Sequence, residues 1–503
     1  MKRRDFLKAS ALGLVALKER SLFGSVAPKK RPNILFFFPD QHRFDWTSMN
    51  PQLPDITPNL RRLAQNGVHF TNALTPSPLC APARACLAAG KEYHRCRVSG
   101  NNVPYPLDQI TFYTLLKSAG YHVLGCGKFD LDKPGMSWGR DGKHKRAGLP
   151  SLLEVWGFSD GIDNEGKMDG VSNYRNRPDR PGPYFDYLEK QNLVDAHLRN
   201  IKTLDHDYPG PSIVPDEAYC DNWIARNGLS LINAVPTGEP WFIQINFDGP
   251  HPPMDITKTM CEKWKEAKFP PAWTGNKAKK EETGDASRRN YGAMIANIDE
   301  WLGRFIAEIA KRGELDNTII VYCSDHGEML GDHGMDGKSK PQHPSVCVPL
   351  VIAGPGVRKS VTCEKPVETL DLTATFLDYA GVGKPTAMDS LSLRPYLEGK
   401  GGVPRGYVTS ALGNWRLVFD GKYKLIVGDG EVRDQAAKQP DGLLLYDLKQ
   451  DPHEDTNLSE KYPDVVERLK PLLPPENMPT TIRAKKKLGG DKKQQQKKKR
   501  GDT

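Results

Sequence analysis

A cysteine at the start of a predicted helix is the residue of this chain best placed to do chemistry. Residues 79–90 read LCAPARACLAAG. Pro82 lacks a backbone N–H and has a fixed φ, which predicts that a helix begins at this proline. Cys80 then lies where free N–H groups and the helix dipole favour an anion, and Arg84 can point to the same place. The alternative interpretation is a buried cysteine with a packing role.

Acidic and amide side chains follow the first strand-like segment. Residues 33–38, NILFFF, form a continuous apolar run of the kind found in parallel sheets, and Asp40 and Gln41 come directly after it. Open α/β sheets place their sites at the carboxyl ends of central strands. Carboxylate and amide oxygens suit a hard cation such as Ca²⁺ or Mg²⁺. These two residues are candidate metal ligands, with a helix-capping role for Asp40 as the alternative.

Basic residues follow two further strand-like runs. Residues 121–125 lead to Lys128 and Asp130, and residues 240–247 lead to His251, which lies between two prolines. The prolines restrict the backbone, so His251 is aimed in a fixed direction. If these segments are neighbouring parallel strands, their ends meet at one edge of the sheet.

The most specific motif is SDHGE at residues 324–328, after the apolar run 318–323. Together with Cys-x-Pro-x-Arg from Cys80 to Arg84, it resembles the type I, formylglycine-dependent sulfatases of the alkaline phosphatase superfamily. The resemblance extends from about residue 31 to residue 473. It implies that a formylglycine-generating or radical maturation enzyme oxidises Cys80 to formylglycine, and that Ca²⁺, or alternatively Mg²⁺, is the cofactor. Ala83 replaces the serine that is usual between the proline and the arginine.

The resemblance assigns a role to each matching position. The implied metal ligands are Asp40, Gln41, Cys80, Asp325 and His326. The implied catalytic residues are Cys80, Arg84, Lys128, Asp130, His251 and Lys338, of which Lys128, His251 and Lys338 also bind substrate. Asp130 departs from the family, which has a histidine there that releases sulfate from the covalent intermediate. Whether Asp130 acts as that base stays open at this point.

The expected function is hydrolysis of sulfate esters, with a sulfated polysaccharide or oligosaccharide as substrate. The alternative in the same superfamily is a phosphonate or phosphate ester hydrolase. A more distant alternative is a non-catalytic glycan-binding relative in which Cys80 stays a thiol.

The elements that must position these residues predict an α/β fold. We expect an alkaline-phosphatase-like, large mixed and mostly parallel sheet between helices, with a small C-terminal antiparallel α+β subdomain. The expected division is a twin-arginine-type signal peptide at 1–27, a catalytic domain at 31–400, a C-terminal subdomain at 401–478 and a disordered basic tail at 479–503. Residues 135–215 show little periodicity and are predicted to be loops that build the substrate cleft.

Charge and composition exclude one class of function and suggest a location. The formal charge is +9, but residues 483–503 carry +8 and residues 1–20 carry +4, so the body is near −3. The basic character therefore belongs to the ends and does not indicate a nucleic-acid enzyme. Paired arginines at 3 and 4 before Phe6-Leu7 predict export, to a bacterial periplasm, by the twin-arginine route. No later apolar run is long enough for stable membrane insertion. The nine cysteines leave disulfides open.

Overall fold

The computed structural model describes residues 31–145, 148–203, 211–275, 284–428 and 442–475. The predicted signal peptide and basic tail lie outside these ranges. The boundary near residue 400 remains a prediction.

A mixed sheet of nine strands forms the centre of the described structure. Its strands are β1 (Asn33–Phe37), β2 (Gly67–Leu74), β3 (His122–Gly127), β4 (Asp160–Asp163), β5 (Trp241–Asn246), β6 (Thr318–Cys323), β7 (Cys347–Ala353), β8 (Val361–Cys363) and β9 (Val367–Glu368). The order is β4-β3-β5-β1-β6-β7-β2-β8, with β9 beside β2. The five adjacent strands β4, β3, β5, β1 and β6 are parallel to one another. Strand β7 runs antiparallel to both of its neighbours, β6 and β2.

Helices cover both faces of the sheet. They are α1 (Pro58–Gln65), α2 (Cys80–Ala89), α3 (Phe112–Ser118), α4 (Leu152–Val155), α5 (Lys167–Asn176), α6 (Pro183–Lys190), α7 (Val194–Thr203), α8 (Cys220–Ala234), α9 (Lys258–Trp264), α10 (Asp285–Lys311), α11 (His343–Val346), α12 (Asp371–Tyr379), α13 (Arg394–Leu397) and α14 (Pro463–Leu469). Alternate residues of β1 pack into two different cores, Ile34 and Phe36 on one face and Leu35 and Phe37 on the other. Burial on both faces explains why β1 is apolar at every position.

A second, antiparallel sheet contains β10 (Val408–Leu412), β11 (Trp415–Phe419), β12 (Tyr423–Val427) and β13 (Leu443–Asp447). Its core includes Val418 and Leu425, which pack with Val466 of α14. The large sheet between helices and the small antiparallel sheet confirm the predicted fold class.

Three local predictions differ from the structure. Helix α2 begins at Cys80 and not at Pro82. The N–H groups of the first helical turn have no intrahelical acceptors, so a proline can occupy any position of that turn and does not mark its first residue. The described residues between 135 and 215 form four helices and strand β4 in addition to loops. Residues 366–380 are also predicted from the sequence to form one helix, but the helix starts only at Asp371, because Val367 and Glu368 pair with β2.

The described residues also bear on disulfide formation and on membrane insertion. All nine cysteines lie in the described residues as free thiols. Within those residues, no helix has both the length and the apolar character needed to cross a bilayer.

Close contact between two strand ends predicts a large stability loss at Gly127. Its φ is +101°, and a Cβ there would lie 1.8 Å from the carbonyl oxygen of Asn246 at the end of β5. We expect Gly127→Ala to lower the free energy of unfolding by about 3 kcal/mol or more, through overpacking and backbone strain.

The matched control for this substitution is Gly238→Ala. Gly238 has a φ of +97° with nothing within 4 Å of its Cβ position. Backbone strain alone should lower the free energy of unfolding of Gly238→Ala by about 1 kcal/mol. Urea and thermal unfolding compare the two variants, and equal losses would contradict the overpacking at Gly127.

Candidate active site

Four adjacent parallel strands bring the predicted site residues to one edge of the large sheet. The strands are β3, β5, β1 and β6, in that spatial order. Because they run in the same direction, their carboxyl ends lie side by side. The residues that follow these ends are Lys128 and Asp130, His251, Asp40 and Gln41, and Asp325 and His326. Helix α2 starts beside them and adds Cys80.

Four candidate metal ligands converge at this edge. One ligand atom from each of Asp40, Cys80, Asp325 and His326 lies within 4.8 Å of all the others, and all four residues are buried. Gln41 joins them through its backbone N–H, which donates to Asp325 Oδ1 at 3.0 Å. Two carboxylates, an amide oxygen and an imidazole are a donor set that fits a divalent cation.

Glu328 and Lys338 hold the side chain of Gln41 in place. The amide nitrogen of Gln41 donates to Glu328 Oε2. Its amide oxygen accepts from Lys338 Nζ at 2.7 Å. Gln41 has a left-handed backbone with a φ of 71°, which is uncommon for this residue type. The loop contact therefore aims the amide oxygen of Gln41 into the site, a role for Glu328 that fits its position in the SDHGE motif.

Cys80 lies among positive groups. Its Sγ is 3.1 Å from Lys338 Nζ, 3.2 Å from His326 Nε2 and 3.9 Å from Lys128 Nζ. Burial and the carboxylate of Asp40 act to raise the pKa of the thiol, but Lys128, Lys338 and His326 outweigh them and lower it to about 6. The site thus stabilises negative charge at the position of this sulfur.

Arg84 organises the carboxylates and is 2% exposed. Its Nε donates to Asp325 Oδ2 at 2.9 Å, and its Nη2 lies 3.6 Å from Asp40 Oδ2. Its Nη1 donates to Asn246 Oδ1 at 3.2 Å. Arg84 therefore joins the ends of β1, β5 and β6 to helix α2. The sequence did not single out Asn246, which carries no motif.

Lys128 and Asp40 form a buried ion pair at the centre of the site. Burial would raise the pKa of Asp40, but the positive charges of Lys128, Lys338 and Arg84 hold it well below its ordinary value. Burial would lower the pKa of Lys128, but Asp130 and Asp40 raise it well above its ordinary value. Both groups are therefore charged at neutral pH.

Asp130, at the position of the family's histidine, has two lysine partners. Its Oδ2 lies 3.4 Å from Lys128 Nζ and 3.1 Å from Lys133 Nζ. Burial acts to raise the pKa of Asp130, but these lysines lower it to about 2. A carboxylate this acidic is a weak base. The structure gives Asp130 an electrostatic role beside Lys128, and its role in catalysis stays a prediction.

His251 is oriented by its own loop. Its Nδ1 lies 2.5 Å from the carbonyl oxygen of Pro252, which can only accept, so Nδ1 carries a hydrogen. Burial and the charges of Lys338 and Lys128 hold the pKa of His251 well below its ordinary value. The unliganded imidazole is therefore neutral, with Nε2 as an acceptor. Binding of an anion would favour its protonation.

An open cleft of ≈ 230 Å³ leads to Cys80. The predicted residues Lys128, His251 and Lys338 line it. Residues that the motifs did not identify as site residues line the other walls: Asn101, Lys133, Gly166, Lys167, Met168, Asp169 and Asp248. Asp248 follows β5 at the same edge as the other site residues, so the strand-end rule could have found it. The α5 residues could not be found this way, because their stretch reads as loop.

The fold and this site define a class: α/β hydrolases that hold a tetrahedral oxyanion at the carboxyl ends of parallel strands, beside a divalent-cation site. A family model described as Sulfatase matches residues 32–382, and one described as N-sulphoglucosamine sulphohydrolase, C-terminal, matches residues 331–476. The chain belongs to the sulfatase family and is an enzyme of that family.

A curated arylsulfatase is similar in sequence over most of its length, and two solved structures share the fold. The chain is 26% identical over 475 residues to an arylsulfatase of Clostridium perfringens (strain 13 / Type A), covering 88% of this chain and 94% of the relative. A protein solved in complex with its substrate D-glucosamine-2-N,6-O-disulfate has a TM-score of 0.67 and 22% identity, covering 88% of this chain and 97% of its own. The phosphonate monoester hydrolase of Silicibacter pomeroyi has a TM-score of 0.69 and 23% identity, covering 88% and 94%.

The charges around Cys80 predict an acidic thiol in protein made without maturation or metal. The Cys80 thiolate should persist above a pKa of about 6 and be lost as the pH falls through that value. Subtracting the ultraviolet thiolate absorbance of Cys80→Ser from that of the unsubstituted chain isolates this titration. Lys338→Met removes a cation 3.1 Å from Sγ and should raise the apparent pKa by about one unit or more. A thiol that titrates near the free-cysteine value would contradict the described electrostatics.

Proposed function

We propose that this protein is an exported sulfatase that hydrolyses sulfate esters on a sulfated polysaccharide or oligosaccharide. The observation that carries this proposal is the position of Cys80, at the start of α2, in the cleft and within 4 Å of Lys338, His326 and Lys128. Conversion of Cys80 to formylglycine would place an aldehyde, and on hydration two hydroxyl groups, where the site stabilises negative charge.

The lysines of the cleft bind and orient the substrate. A sulfate ester is an anion, and further negative charge develops on its leaving oxygen in the transition state. The ammonium nitrogens of Lys128 and Lys338 both lie within 4 Å of Cys80 Sγ, so a sulfate group that they bind is next to the nucleophile. Preorganised charge of this kind is usually the largest contribution to catalysis. Arg84 donates to Asp325 and lies 3.6 Å from Asp40, and it acts by holding these two carboxylates in place.

Proton transfer to the leaving alcohol has two candidate donors, Lys338 and His251. The unliganded His251 is neutral with an acceptor at Nε2, so it donates only after the bound anion has favoured its protonation. Lys338 is the other candidate, because its Nζ lies 3.1 Å from Cys80 Sγ. Sulfate is then released when the second hydroxyl of the nucleophile loses its proton, and the low pKa of Asp130 disfavours that aspartate as the base.

The metal position fits Ca²⁺, with Mg²⁺ as the alternative. Asp40, Gln41, Asp325 and His326 would hold the ion beside residue 80. When bound, it supplies positive charge that neutralises the sulfate oxygens and acidifies the nucleophile.

Polar walls support a carbohydrate substrate. Of the side chains that line the cleft, most are lysine, carboxylate or amide groups, and Met168 is the large apolar one. Such a lining offers hydrogen-bond donors and acceptors to the hydroxyl groups of a sugar. The glucosamine disulfate bound by one structural neighbour supports the same substrate class.

The decisive experiment compares ester classes and follows residue 80. We expect protein matured in its host to show an aldehyde in the peptide that contains position 80, and to cleave 4-nitrophenyl sulfate faster than 4-nitrophenyl phenylphosphonate. Cys80→Ala should lower kcat by about 10⁴-fold or more, because it removes the nucleophile. Lys338→Ala should lower kcat by about 10²–10³-fold.

Two outcomes of this experiment would contradict the proposal. Preference for the phosphonate would make the protein a phosphonate hydrolase, like its structural neighbour. An unmodified thiol in active-site peptide from the native host, with no turnover of either ester, would favour the non-catalytic glycan-binding alternative. Chelation followed by Ca²⁺ or Mg²⁺ addition identifies the ion that restores activity.

Export by the twin-arginine route is the proposed localisation, and it rests on Arg3 and Arg4. This route carries folded proteins, so cysteine oxidation and metal loading would precede export. In a bacterial host with a twin-arginine translocase, the unsubstituted chain should reach the periplasm. Replacing both arginines with lysine should keep most of the protein in the cytoplasm, as measured by cell fractionation. Periplasmic accumulation of the double variant at the unsubstituted level would show that another signal directs it.

A further inference from the structure

Asp248 is a cleft residue whose role the catalytic mechanism does not explain. It comes two residues after the end of β5 and is 2% exposed. Its backbone N–H donates to Asp221 Oδ1 at 2.8 Å, and its Oδ2 accepts from the thiol of Cys220 at 2.9 Å and from Asn164 Nδ2 at 3.3 Å. One carboxylate oxygen is therefore fixed by neighbours from two other segments.

The other carboxylate oxygen of Asp248 has no hydrogen-bond partner in the described part of the chain. Buried carboxylate oxygens normally have partners, because an unpaired one costs free energy. Since Asp248 lines the same cleft as Cys80 and Lys128, a donor that enters the cleft is the natural partner for Oδ1.

Gly166 leaves open the space beside this oxygen. A Cβ at position 166 would lie 3.4 Å from Lys128 Cδ and 4.0 Å from Asp248 Oδ1, and Gly166 has a φ of +68°. A side chain here would stand between the sulfate-binding lysine and the free oxygen. Because position 166 has no side chain, a substrate group that lies close to a sulfate bound by Lys128 can reach the carboxylate of Asp248.

The other charged groups of these walls are already paired. Lys167 Nζ donates to Asp255 Oδ1 at 2.6 Å and to the Tyr219 hydroxyl at 3.2 Å. Lys133 pairs with Asp169 at 2.7 Å as well as with Asp130. The free oxygen of Asp248 is thus a site for a hydrogen-bond donor, and it repels a second anion.

We propose that Asp248 is a specificity-determining residue that accepts a hydrogen bond from a sugar hydroxyl on the carbon next to the sulfated one. This inference rests on the proposed sulfatase function and names the feature of the substrate that the site selects. Substrates with a hydroxyl at that position are preferred over those that carry hydrogen or a second sulfate there.

The test compares monosulfated hexosides with analogues that are deoxy at the neighbouring carbon, and uses 4-nitrophenyl sulfate as a substrate without any hydroxyl. The unsubstituted enzyme should prefer a hydroxylated substrate by about 10–100-fold in kcat/KM, the effect of leaving a site's polar group unpaired. In Asp248→Ala this preference should shrink to about threefold or less, while activity on 4-nitrophenyl sulfate changes by less than about threefold.

Two further variants control for structure and for charge. Asp248→Asn keeps the volume of the side chain and an oxygen that can accept from Asn164 and Cys220. It therefore tests the loss of the negative charge, and it is expected to fold even if Asp248→Ala does not. Asp169→Ala removes the other cleft carboxylate, whose Oδ2 is held by Lys133, and should change hydroxylated and deoxy substrates by the same factor.

The outcomes separate this inference from the sulfatase proposal. A hydroxyl preference that survives Asp248→Ala and Asp248→Asn overturns the role of Asp248, as does an equal loss on the sugar and on 4-nitrophenyl sulfate. The role of Asp248 is also overturned if the unsubstituted enzyme cleaves 4-nitrophenyl sulfate but does not prefer hydroxylated hexosides over their deoxy analogues. Failure to cleave any sulfate ester would instead overturn the proposed function.

Discussion

Compensation of buried negative charge is the constraint on which the rest of the site depends. Asp40 and Asp325 are 0% and 1% exposed, and ionised carboxylates at such depth are costly unless paired. Arg84 contacts both of them, and Lys128 pairs with Asp40. Because Arg84 lies one turn after Cys80 on α2, the ion pairs that neutralise the carboxylates also fix the position of the cysteine. The position of Cys80, the proposed nucleophile, therefore depends on the same ion pairs as the position of the carboxylates.

The same charges explain how the site accommodates its departure from the family. A histidine can be neutral, whereas Asp130 adds a buried negative charge next to Lys128. Lys133 supplies the compensating cation and reaches the cleft wall, where it also meets Asp169. Asp130 therefore goes together with a second lysine in the wall of the cleft.

Sequence patterns recovered the elements that are buried on both faces or that alternate clearly. Strand β6 has the predicted bounds, because its continuous apolar run leaves no competing interpretation. The stretch 135–215 was read as loop, yet it contains α5 and α6. These helices bury charged residues such as Lys167, whose ion pair with Asp255 appears only in the folded chain. Short helices are stabilised mainly by tertiary packing, which local sequence does not show.

The sequence by itself determined which side chains stand at the ends of strands and at the start of α2, because apolar runs, proline and the SDHGE motif are local signals. Only the tertiary structure decided which of those ends are neighbours, since the order β3-β5-β1-β6 joins segments far apart in the chain. It also decided that one oxygen of Asp248 is held by Asn164 and Cys220, and that the other has no partner among the described residues. Such contacts depend on sheet order and strand register, which fix distances between residues that no local pattern connects.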